Sequence, residues 1–421
     1  MIADASARFQ SSTPELTDLA QRLAEVIVQR EDTFSPRNLA SVAIALSIRG
    51  VRDVSVVEFI RTEAIKMIDD LEPAHCSTLL EAFRRWGVFD RQLVDMIVER
   101  MSDEVDRFTA RDVVDTVAVV SRLGLARGFL LRRLCTLAFE NLRQFTPREL
   151  AKMAYALAKL RFLAQSNVDD LVDALAPDLP RLVGSQVSEL LFALAMTDSR
   201  HQMDLARSLV GQYMSSGKDG KDAVTGKSLG SLVDFTWALC SLDLVDEFTP
   251  EFKAAIEEIF DRKAPQNRAP LMKLFDVINC LELEHQALGI SAPKAWKAAC
   301  DDADRFEMER LESSRLHNEI VMRFDHLRGT ANGTRWQLRM QRNQPCGPYR
   351  VDMLDEDTKI ALDLEFVSWP TSRQLKHRLI AGLGYKPLQI EYWDWRRART
   401  EEEQNVYLER AVGKLLEPGN Y

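Results

Sequence analysis

The sequence predicts two structural parts: an α-solenoid of ~37-residue helical hairpin repeats and, after it, a small α/β domain. The α-solenoid is indicated by five segments that share a pattern and follow one another at intervals of 37 residues. The α/β domain is indicated by a change near Leu311, after which strand-like runs alternate with helical ones. The composition agrees with a well-packed protein, because 46% of the residues are apolar.

Each repeat unit begins with an apolar residue, and these residues are Phe34, Leu71, Phe108, Phe145 and Leu182. In three units a serine or threonine follows and predicts a helix N-cap, because its hydroxyl oxygen accepts a hydrogen bond from the first turn. Three units then have a proline, which suits the first helical position because its missing N–H costs nothing there. Glycines that permit a left-handed helix end lie sixteen residues into the first three units, at Gly50, Gly87 and Gly124.

A small or narrow residue lies eleven positions into every unit, namely Ala45, Ala82, Val119, Ala156 and Ala193. Such residues let two helices approach closely. A second amphipathic helix, such as Val54–Asp70 or Arg91–Val105, closes each unit. Each helix pair exposes an apolar face that only the next pair can cover, so the units are predicted to stack as an array.

The repeats set the predicted boundaries along the chain. Residues 1–14 form a flexible N-terminus, Ala/Ser-rich and compatible with the remnant of an organellar transit peptide. The repeat array covers residues 15–290 and contains a polar, Gly-rich loop insertion at 215–230. A connecting helix at 291–310 leads to the α/β domain at 311–417.

Charge, hydropathy and cysteine spacing exclude several classes of protein. No run approaches ~18 consecutive apolar residues, which argues against a membrane span, and the net charge of −9 argues against a chain that is basic throughout. No two of the six cysteines lie within four residues of each other, so the spacing of a zinc-binding pair is missing. We therefore expect core thiols in a reducing compartment, no metal site and no cofactor.

The C-terminal part is predicted to follow the order α-β-β-β-α-β-α, a small mixed sheet with helices packed on it. The predicted helices are Leu311–Leu327, Thr371–Leu383 and Thr400–Leu416, and the predicted strands are Thr334–Met340, Tyr349–Leu354, Lys359–Phe366 and Lys386–Tyr392.

Four motifs in this part resemble the RAP domain: Val351-Asp-Met, Lys359-Ile-Ala-Leu-Asp-Leu-Glu, Leu383-Gly-Tyr-Lys-Pro-Leu-Gln-Ile and Trp393-Asp-Trp. A 37-residue helical repeat ahead of such a domain is similar to the heptatricopeptide class of apicomplexan organellar RNA-binding proteins, with octotricopeptide arrays as relatives. The resemblance implies a restriction-endonuclease-like fold for the RAP-like domain, a mitochondrial location and a role in RNA stabilisation, processing or the mitoribosome. One departure is that Phe366-Val-Ser-Trp-Pro follows Asp363-Leu-Glu365, without the glycine usual in the family.

Asp352, Asp363 and Glu365 occupy the positions of a PD-(D/E)xK nuclease centre. Such a centre needs carboxylates to hold Mg²⁺ and a lysine to orient the attacking water. Glu365 stands where the lysine belongs, and nothing in the sequence favours Lys376 or Lys386 as its replacement. We therefore expect a degenerate, non-catalytic centre, and residual Mg²⁺ binding stays open.

Arginines are the candidate RNA contacts. Residues 315–421 contain 17 Lys and Arg against 15 Asp and Glu, a net charge of +2 that leaves −11 for the rest of the chain. Guanidinium groups pair with phosphates, and aromatic rings stack on bases. The predicted RNA-binding residues are Arg323, Arg328, Arg335, Trp336, Arg339, Arg342, Arg350, Arg396 and Arg397, with Tyr349, Trp393 and Trp395 as further aromatic neighbours. In the array, Arg37, Arg111 and Arg148 share one repeat position and form either a phosphate stripe or salt bridges to nearby acids.

Together with what the RAP resemblance implies, these features predict a non-catalytic organellar RNA-binding protein, foremost an rRNA-binding structural component of the mitoribosome that contacts short rRNA segments. The alternative is a protein–protein scaffold within another large mitochondrial assembly, with RNA binding lost, which the acidic array favours. An RNA-processing nuclease is a third reading, and Glu365 argues against it. The expected partners are RNA and the proteins of a large mitochondrial complex.

Overall fold

The computed structural model describes residues 21–22, 24–27, 34–125, 127–215, 226–312, 318–324, 339–365 and 373–416. These residues form stacked helical hairpins followed by a small domain with a mixed four-stranded sheet, as the sequence predicts. None of the helices in these ranges is long and apolar enough to cross a membrane.

In the described residues, first and second helices of the repeats alternate in chain order with bounds that follow the predicted period, and the last helix named here, α14, corresponds to the predicted connecting helix. The helices are α1 (Pro36–Ile48), α2 (Val54–Lys66), α3 (Pro73–Trp86), α4 (Arg91–Asp103), α5 (Ala110–Leu123), α6 (Gly128–Glu140), α7 (Pro147–Lys159), α8 (Gln165–Leu175), α9 (Gly184–Met196), α10 (Met203–Ser215), α11 (Leu229–Ser241), α12 (Thr249–Phe260), α13 (Arg268–Leu283) and α14 (Lys294–Glu312). Several second helices end earlier than predicted and continue into a short 3-10 turn, as at Ile68–Asp70 and Val105–Arg107.

The first helices begin and end as the local pattern predicts. The hydroxyl oxygen of Ser35 accepts a hydrogen bond from the N–H of Asn38 at 3.3 Å. The hydroxyl oxygens of Thr109 and Thr146 likewise accept from the backbone N–H three residues later. In return, the acidic side chain at that third position, Asp112 or Glu149, accepts from the backbone N–H of the threonine. Gly87 and Gly124 close their helices at φ 72° and 65°. These interactions between neighbouring residues determine where the helices begin and end, without tertiary contacts.

The chain divides into two compact units. One comprises residues 1–162 and 169–176, and the other comprises residues 163–168 and 177–421. Within the first unit α1, α3 and α5 pack against one another in succession. Ala45, Ala82 and Val119 are buried there, at the repeat position predicted to allow close helix approach.

The second unit combines the last repeats with the C-terminal domain. Its helices α9, α11 and α13 pack in succession around large buried rings, including Phe192 and Trp237 with centroids 5.2 Å apart. The ammonium group of Lys273 pairs with Asp234 inside this packing. Because two buried charges are stable only as a pair, these residues fix how α11 and α13 sit against each other.

The sheet contains β1 (Gln341–Cys346), β2 (Tyr349–Asp355), β3 (Ile360–Glu365) and β4 (Lys386–Glu391) in the order β1-β2-β3-β4. The first two pairs are antiparallel and β3 pairs with β4 in parallel. The prediction of a strand at 334–340 is wrong at its described end, because residues 339–340 precede the first strand. A two-residue turn at Gly347 and Pro348 joins the edge strand β1 to β2.

Helices α15 (Arg373–Gly382), α16 (Tyr392–Arg397) and α17 (Glu401–Leu416) complete the domain. The first and third match predicted helices to within two residues, whereas the short α16 was not predicted. Of the predicted helix 311–327, residues 318–324 are helical, and 313–317 and 325–327 lie outside the described residues. The order of strands and long helices is therefore the predicted one.

Candidate nucleic-acid interface

Three arginines surround the β1–β2 hairpin at the edge of the sheet, and we call Arg339, Arg342 and Arg350 the hairpin arginines. All three are exposed. The guanidinium of Arg350 donates to the backbone oxygen and side-chain oxygen of Asn343 at 3.3 Å. Arg339 uses only its backbone N–H in a bond within the described structure, to Asp355 at 3.1 Å. The hairpin therefore presents cationic side chains at a sheet edge.

The second predicted cluster lies on α16. Arg396 and Arg397 are exposed, and Arg397 pairs with Asp394 at 2.8 Å. Among the residues that the structure describes, none pairs with the side chain of Arg396. Its neighbour Trp395 is buried, and the indole N–H donates to Glu319 at 3.2 Å. Trp395 therefore holds α16 on the domain and is not a stacking surface for bases.

Two other predicted contacts have structural roles. Arg323 is largely buried and pairs with Glu401 at 2.9 Å, which ties the helical residues 318–324 to α17. Tyr349 is buried, with its ring edge-on to Phe275 at 5.5 Å. Neither side chain is placed to meet a nucleic acid. Arg328, Arg335, Trp336 and the side chain of Trp393 lie outside the described part of the structure.

The predicted array stripe is exposed as well. Arg37, Arg111 and Arg148 all lie on the first-helix surface. Arg111 lies 3.6 Å from Asp115, whose carboxylate also accepts from Lys152 of the next unit at 2.7 Å. Within the described parts of the chain, Arg37 and Arg148 form no ion pair. The two alternatives that the sequence left open are therefore both present: Arg111 lies in a salt bridge, whereas Arg37 and Arg148 are available as cations.

A second cationic row follows along the same helices, centred on Glu81. This carboxylate accepts from Arg84 at 2.8 Å and from Arg85 at 2.9 Å, and Arg122 of the next unit lies 3.2 Å away. Burial opposes ionisation of Glu81, but the hydrogen bond from Arg84 and the surrounding positive charges outweigh burial and lower the pKa of the carboxyl. One acid therefore holds three cations together at the surface of two units.

Charge is divided between the two helices of the repeat. The four first-helix segments at 34–50, 71–87, 108–124 and 145–161 contain ten Lys and Arg against five Asp and Glu. The four segments that follow them, up to residue 181, contain eleven against sixteen. The acidity of the array thus does not extend to these four first-helix segments, which carry a net positive charge.

The nuclease-like positions form a closed polar cluster on one face of the sheet. The antiparallel register brings Asp352 of β2 beside Asp363 of β3, and both are almost fully buried. Asp352 accepts from the N–H of Leu364 at 2.7 Å. Asp363 accepts from the ammonium of Lys376 at 2.9 Å, and the Nε2 of His377 lies 3.3 Å from its other oxygen.

Lys376, which the sequence analysis named as a possible replacement lysine without favouring it, supplies the positive group of this cluster. It reaches Asp363 from α15 and also donates to the backbone oxygen of Arg350 at 2.7 Å. The residue order did not favour this contact, which arises because α15 crosses over the sheet between the parallel strands β3 and β4. Asp352, Asp363 and Lys376 are all buried, and Glu365 ends the strand that carries Asp363. This geometry holds strands and helix together.

Comparison with protein families supports the two-part reading. Residues 360–411 match the family model of the RAP domain, which covers β3 to most of α17. Residues 9–202 match the family model described as RNA-editing substrate-binding complex 6 protein. No curated protein matches the chain significantly.

Proposed function

We propose that this chain, a RAP-domain protein with an N-terminal array of helical repeats, binds single-stranded RNA without cleaving it. The observation that carries the proposal is the group of exposed hairpin arginines at the edge of the RAP-domain sheet. The positively charged first helices of the array add a second surface of the same chemistry. Phosphate neutralisation by Lys and Arg supplies most of the sequence-independent affinity for RNA.

The hairpin arginines suit phosphate recognition for a physical reason. An exposed guanidinium keeps its charge at all relevant pH values and offers paired N–H groups to phosphate oxygens. Arg350 is held in place by Asn343, so less side-chain entropy is lost on binding. An arginine already neutralised by a carboxylate, such as Arg323 with Glu401, would first have to break that pair.

The absence of cleavage is proposed from the burial of the carboxylate cluster. Asp352 and Asp363 are 3% and 0% exposed, and Lys376 already occupies one oxygen of Asp363. A hydrolytic Mg²⁺ must contact both the carboxylates and a phosphate of the substrate. Access for a phosphate would require α15 to leave the sheet, so the cluster supports the fold and not a reaction.

A more specific proposal concerns the cellular location of the protein and the RNA that it binds. We place the protein in the mitochondrion, where the RAP resemblance implies RNA work, and in a large ribonucleoprotein assembly. An rRNA-binding position in the mitoribosome is our first choice. The match of residues 9–202 to the RNA-editing substrate-binding family supports a second choice, a complex that binds RNA-editing substrates. Crosslinking of RNA to the tagged protein in isolated mitochondria, followed by sequencing, distinguishes rRNA from edited transcripts.

A scaffold role is the alternative function, and exposed apolar side chains favour it. Phe89 and Phe129, at the junctions between first and second helices, are 59% and 60% exposed, and Val54 is 76% exposed. The second-helix segments beside them are acidic. Exposed aromatic residues on a repeat array are typical of protein contacts. Copurification of partner proteins that persists after ribonuclease treatment would favour this alternative.

The test of RNA binding uses the full chain and a labelled, unstructured RNA measured by fluorescence anisotropy at several salt concentrations. Replacing the hairpin arginines together with alanine should weaken binding. It should also reduce the slope of log K against log salt by about 2, since each phosphate contact on a single strand contributes about 0.7.

The matched control replaces Arg91, Arg107 and Arg143 with alanine. These exposed arginines lie on second-helix segments and their loss changes the net charge equally. The control should bind RNA with nearly the wild-type salt slope. Equal losses in the two triple variants would show that net charge alone matters and would contradict the proposed interface.

A further inference from the structure

Three arginines and one glutamate meet where two successive first helices of the array pack together. Glu81, Arg84 and Arg85 belong to α3, and Arg122 comes from α5 of the next unit. Both helices lie in the first compact unit of the chain and pack against each other. Residues three and four positions apart share one face of a helix, so Arg84 and Arg85 both reach back to Glu81.

The carboxylate of Glu81 contacts all three guanidinium groups. Its Oε1 accepts from a terminal nitrogen of Arg84 and from the Nε of Arg85, each at 2.9 Å. Its Oε2 accepts from the Nε of Arg84 at 2.8 Å and lies 3.2 Å from the Nε of Arg122. Arg84 therefore forms a two-pronged pair with the acid, whereas Arg85 and Arg122 approach it with Nε.

This arrangement leaves donors for a further anion. Among the described residues, the terminal guanidinium nitrogens of Arg85 and Arg122 have no hydrogen-bond acceptor. A guanidinium offers five N–H donors in a rigid fork, so a contact at Nε leaves the edge between the two terminal nitrogens for a second oxyanion. The side chains of Arg85 and Arg122 are each 41% exposed and that of Glu81 is 13% exposed, so an anion from solvent meets the arginines first.

The cluster also has an excess of positive charge. Three guanidinium groups share one carboxylate, so three positive charges against one negative leave a net charge of +2. Arg323 has no such excess, because Glu401 neutralises it. A local concentration of positive charge with oriented donors attracts oxyanions from solution.

The repeat continues this positive charge along the array. Arg85 and Arg122 lie 37 residues apart, at the same position of consecutive units, and Lys159 occupies that position in the following unit. Their helices α3, α5 and α7 pack in succession, and packed helices lie about 8–10 Å apart. A flexible polyanion can therefore follow the row of cations from one unit to the next.

We propose that Arg85 and Arg122, held together by Glu81, bind a backbone phosphate of single-stranded RNA. The inference rests on the proposed RNA-binding function and adds to it a defined contact on the array. Glu81 has two opposed effects in this site. It orients the guanidinium groups before RNA arrives, which reduces the entropy lost on binding. Its negative charge also repels the phosphate, so the site binds RNA more weakly than it would without that charge.

The sign of the effect of Glu81 on RNA affinity separates this proposal from a purely structural role. If the cluster only joined two units, loss of the carboxylate would leave RNA affinity unchanged or would lower it through loss of structure. In a phosphate-binding site, loss of the same charge raises the affinity.

The first experiment measures binding of the full chain to a labelled, unstructured RNA by fluorescence anisotropy, at a temperature where thermal melts show each variant to be folded. Glu81→Gln keeps an oxygen acceptor and removes the charge. It should tighten binding about threefold, the effect of removing a negative charge about 6 Å from a phosphate in water. The matched control is Glu104→Gln, because Glu104 also pairs with two arginines, at 3.1 and 2.7 Å, but lies at the end of the second helix α4. The control should leave the affinity unchanged.

The second experiment removes the donors and does not depend on the loss of Glu81. Arg85→Ala combined with Arg122→Ala leaves Glu81 paired with Arg84. This double variant should bind RNA more weakly and should lower the slope of log K against log salt by about 0.7, the contribution of one phosphate contact on a single strand. Arg91→Ala combined with Arg107→Ala, which removes two exposed arginines of second-helix segments, should keep nearly the wild-type slope.

The results distinguish failure of this site from failure of RNA binding as a whole. If the wild-type chain binds RNA, the site is overturned by unchanged or weaker binding of Glu81→Gln. It is also overturned if the two double arginine variants have equal affinities and slopes. If the wild-type chain binds no RNA, the proposed function and the site are both wrong.

Discussion

The buried pair of Lys376 and Asp363 allows a direct test of whether the nuclease-like cluster is structural. Replacing Lys376 by methionine keeps most of the unbranched side chain and removes its charge. Asp363 is 0% exposed and would lose the ammonium 2.9 Å away. The backbone oxygen of Arg350 would lose its donor as well.

The expected cost follows from what remains after the change. Removing one partner of a buried ion pair leaves an uncompensated charge and destabilises a protein by about 3–5 kcal/mol. For a unit of this size each kcal/mol lowers the melting temperature by about 2–4 °C, so the melting temperature of the second unit should fall by roughly 6–20 °C. Lys376→Met combined with Asp363→Asn should recover much of this loss, because replacing both partners of a buried pair is often nearly neutral.

The assay is urea unfolding of the full chain, followed by tryptophan fluorescence. Six of the seven tryptophans lie at or after Trp237, in the second unit, so tryptophan fluorescence reports mainly on the unfolding of that unit. The cleavage of RNA and DNA with Mg²⁺ or Mn²⁺ is measured in parallel, and none is expected for the wild type. A loss of stability below about 1 kcal/mol, or a metal-dependent cleavage that Lys376→Met abolishes, would refute the structural role.

Three further predictions concern single side chains. Glu81→Gln should destabilise the first unit at neutral pH, and the difference should shrink as the pH falls from about 4.3, the ordinary pKa of Glu, through the lowered pKa of Glu81, because the carboxylate contributes stability only while it is ionised; thermal melts at several pH values measure it. Gly87→Ala should cost about 1–2 kcal/mol because φ is 72°, whereas Gly211→Ala, in the middle of a helix, should stabilise by about 0.4–1 kcal/mol in the same denaturant titration. Tyr349→Phe should cost about 1–3 kcal/mol in urea unfolding, because its hydroxyl donates to the buried carboxylate of Asp276 at 3.4 Å.

The features that the sequence predicts well are those determined by neighbouring residues. Ser35, Thr109 and Thr146 cap helices because a hydroxyl group needs only the backbone three residues on. Gly87 and Gly124 end helices because only glycine adopts a positive φ without cost. The 37-residue spacing then repeats these local signals, which is why the array could be predicted almost helix by helix.

The features that the sequence did not predict depend on contacts between distant residues. Lys376 reaches Asp363 only because α15 crosses the sheet, and no spacing in the sequence indicates that contact. Trp395 and Tyr349 are aromatic residues of the kind that stacks on bases, but both are buried. Their burial depends on tertiary packing, which the sequence pattern does not show. Arg323 was grouped with RNA-binding arginines, whereas Glu401, 78 positions later in the chain, pairs with it.

The charge of the array shows how the same sequence can support opposite conclusions. Summed along the chain, the residues before 315 carry −11, which favours a protein scaffold. Separated by helix, the first-helix segments between 34 and 161 are positive and the segments between them include the acidic surface. A ligand contacts a local surface. The charge of the exposed first helices, and not the net charge of all residues before 315, therefore decides which partner is attracted there. Arg37 and Arg148 therefore favour RNA at the first helices of their two units, while Phe89 and the acidic second-helix segment that follows it favour a protein contact.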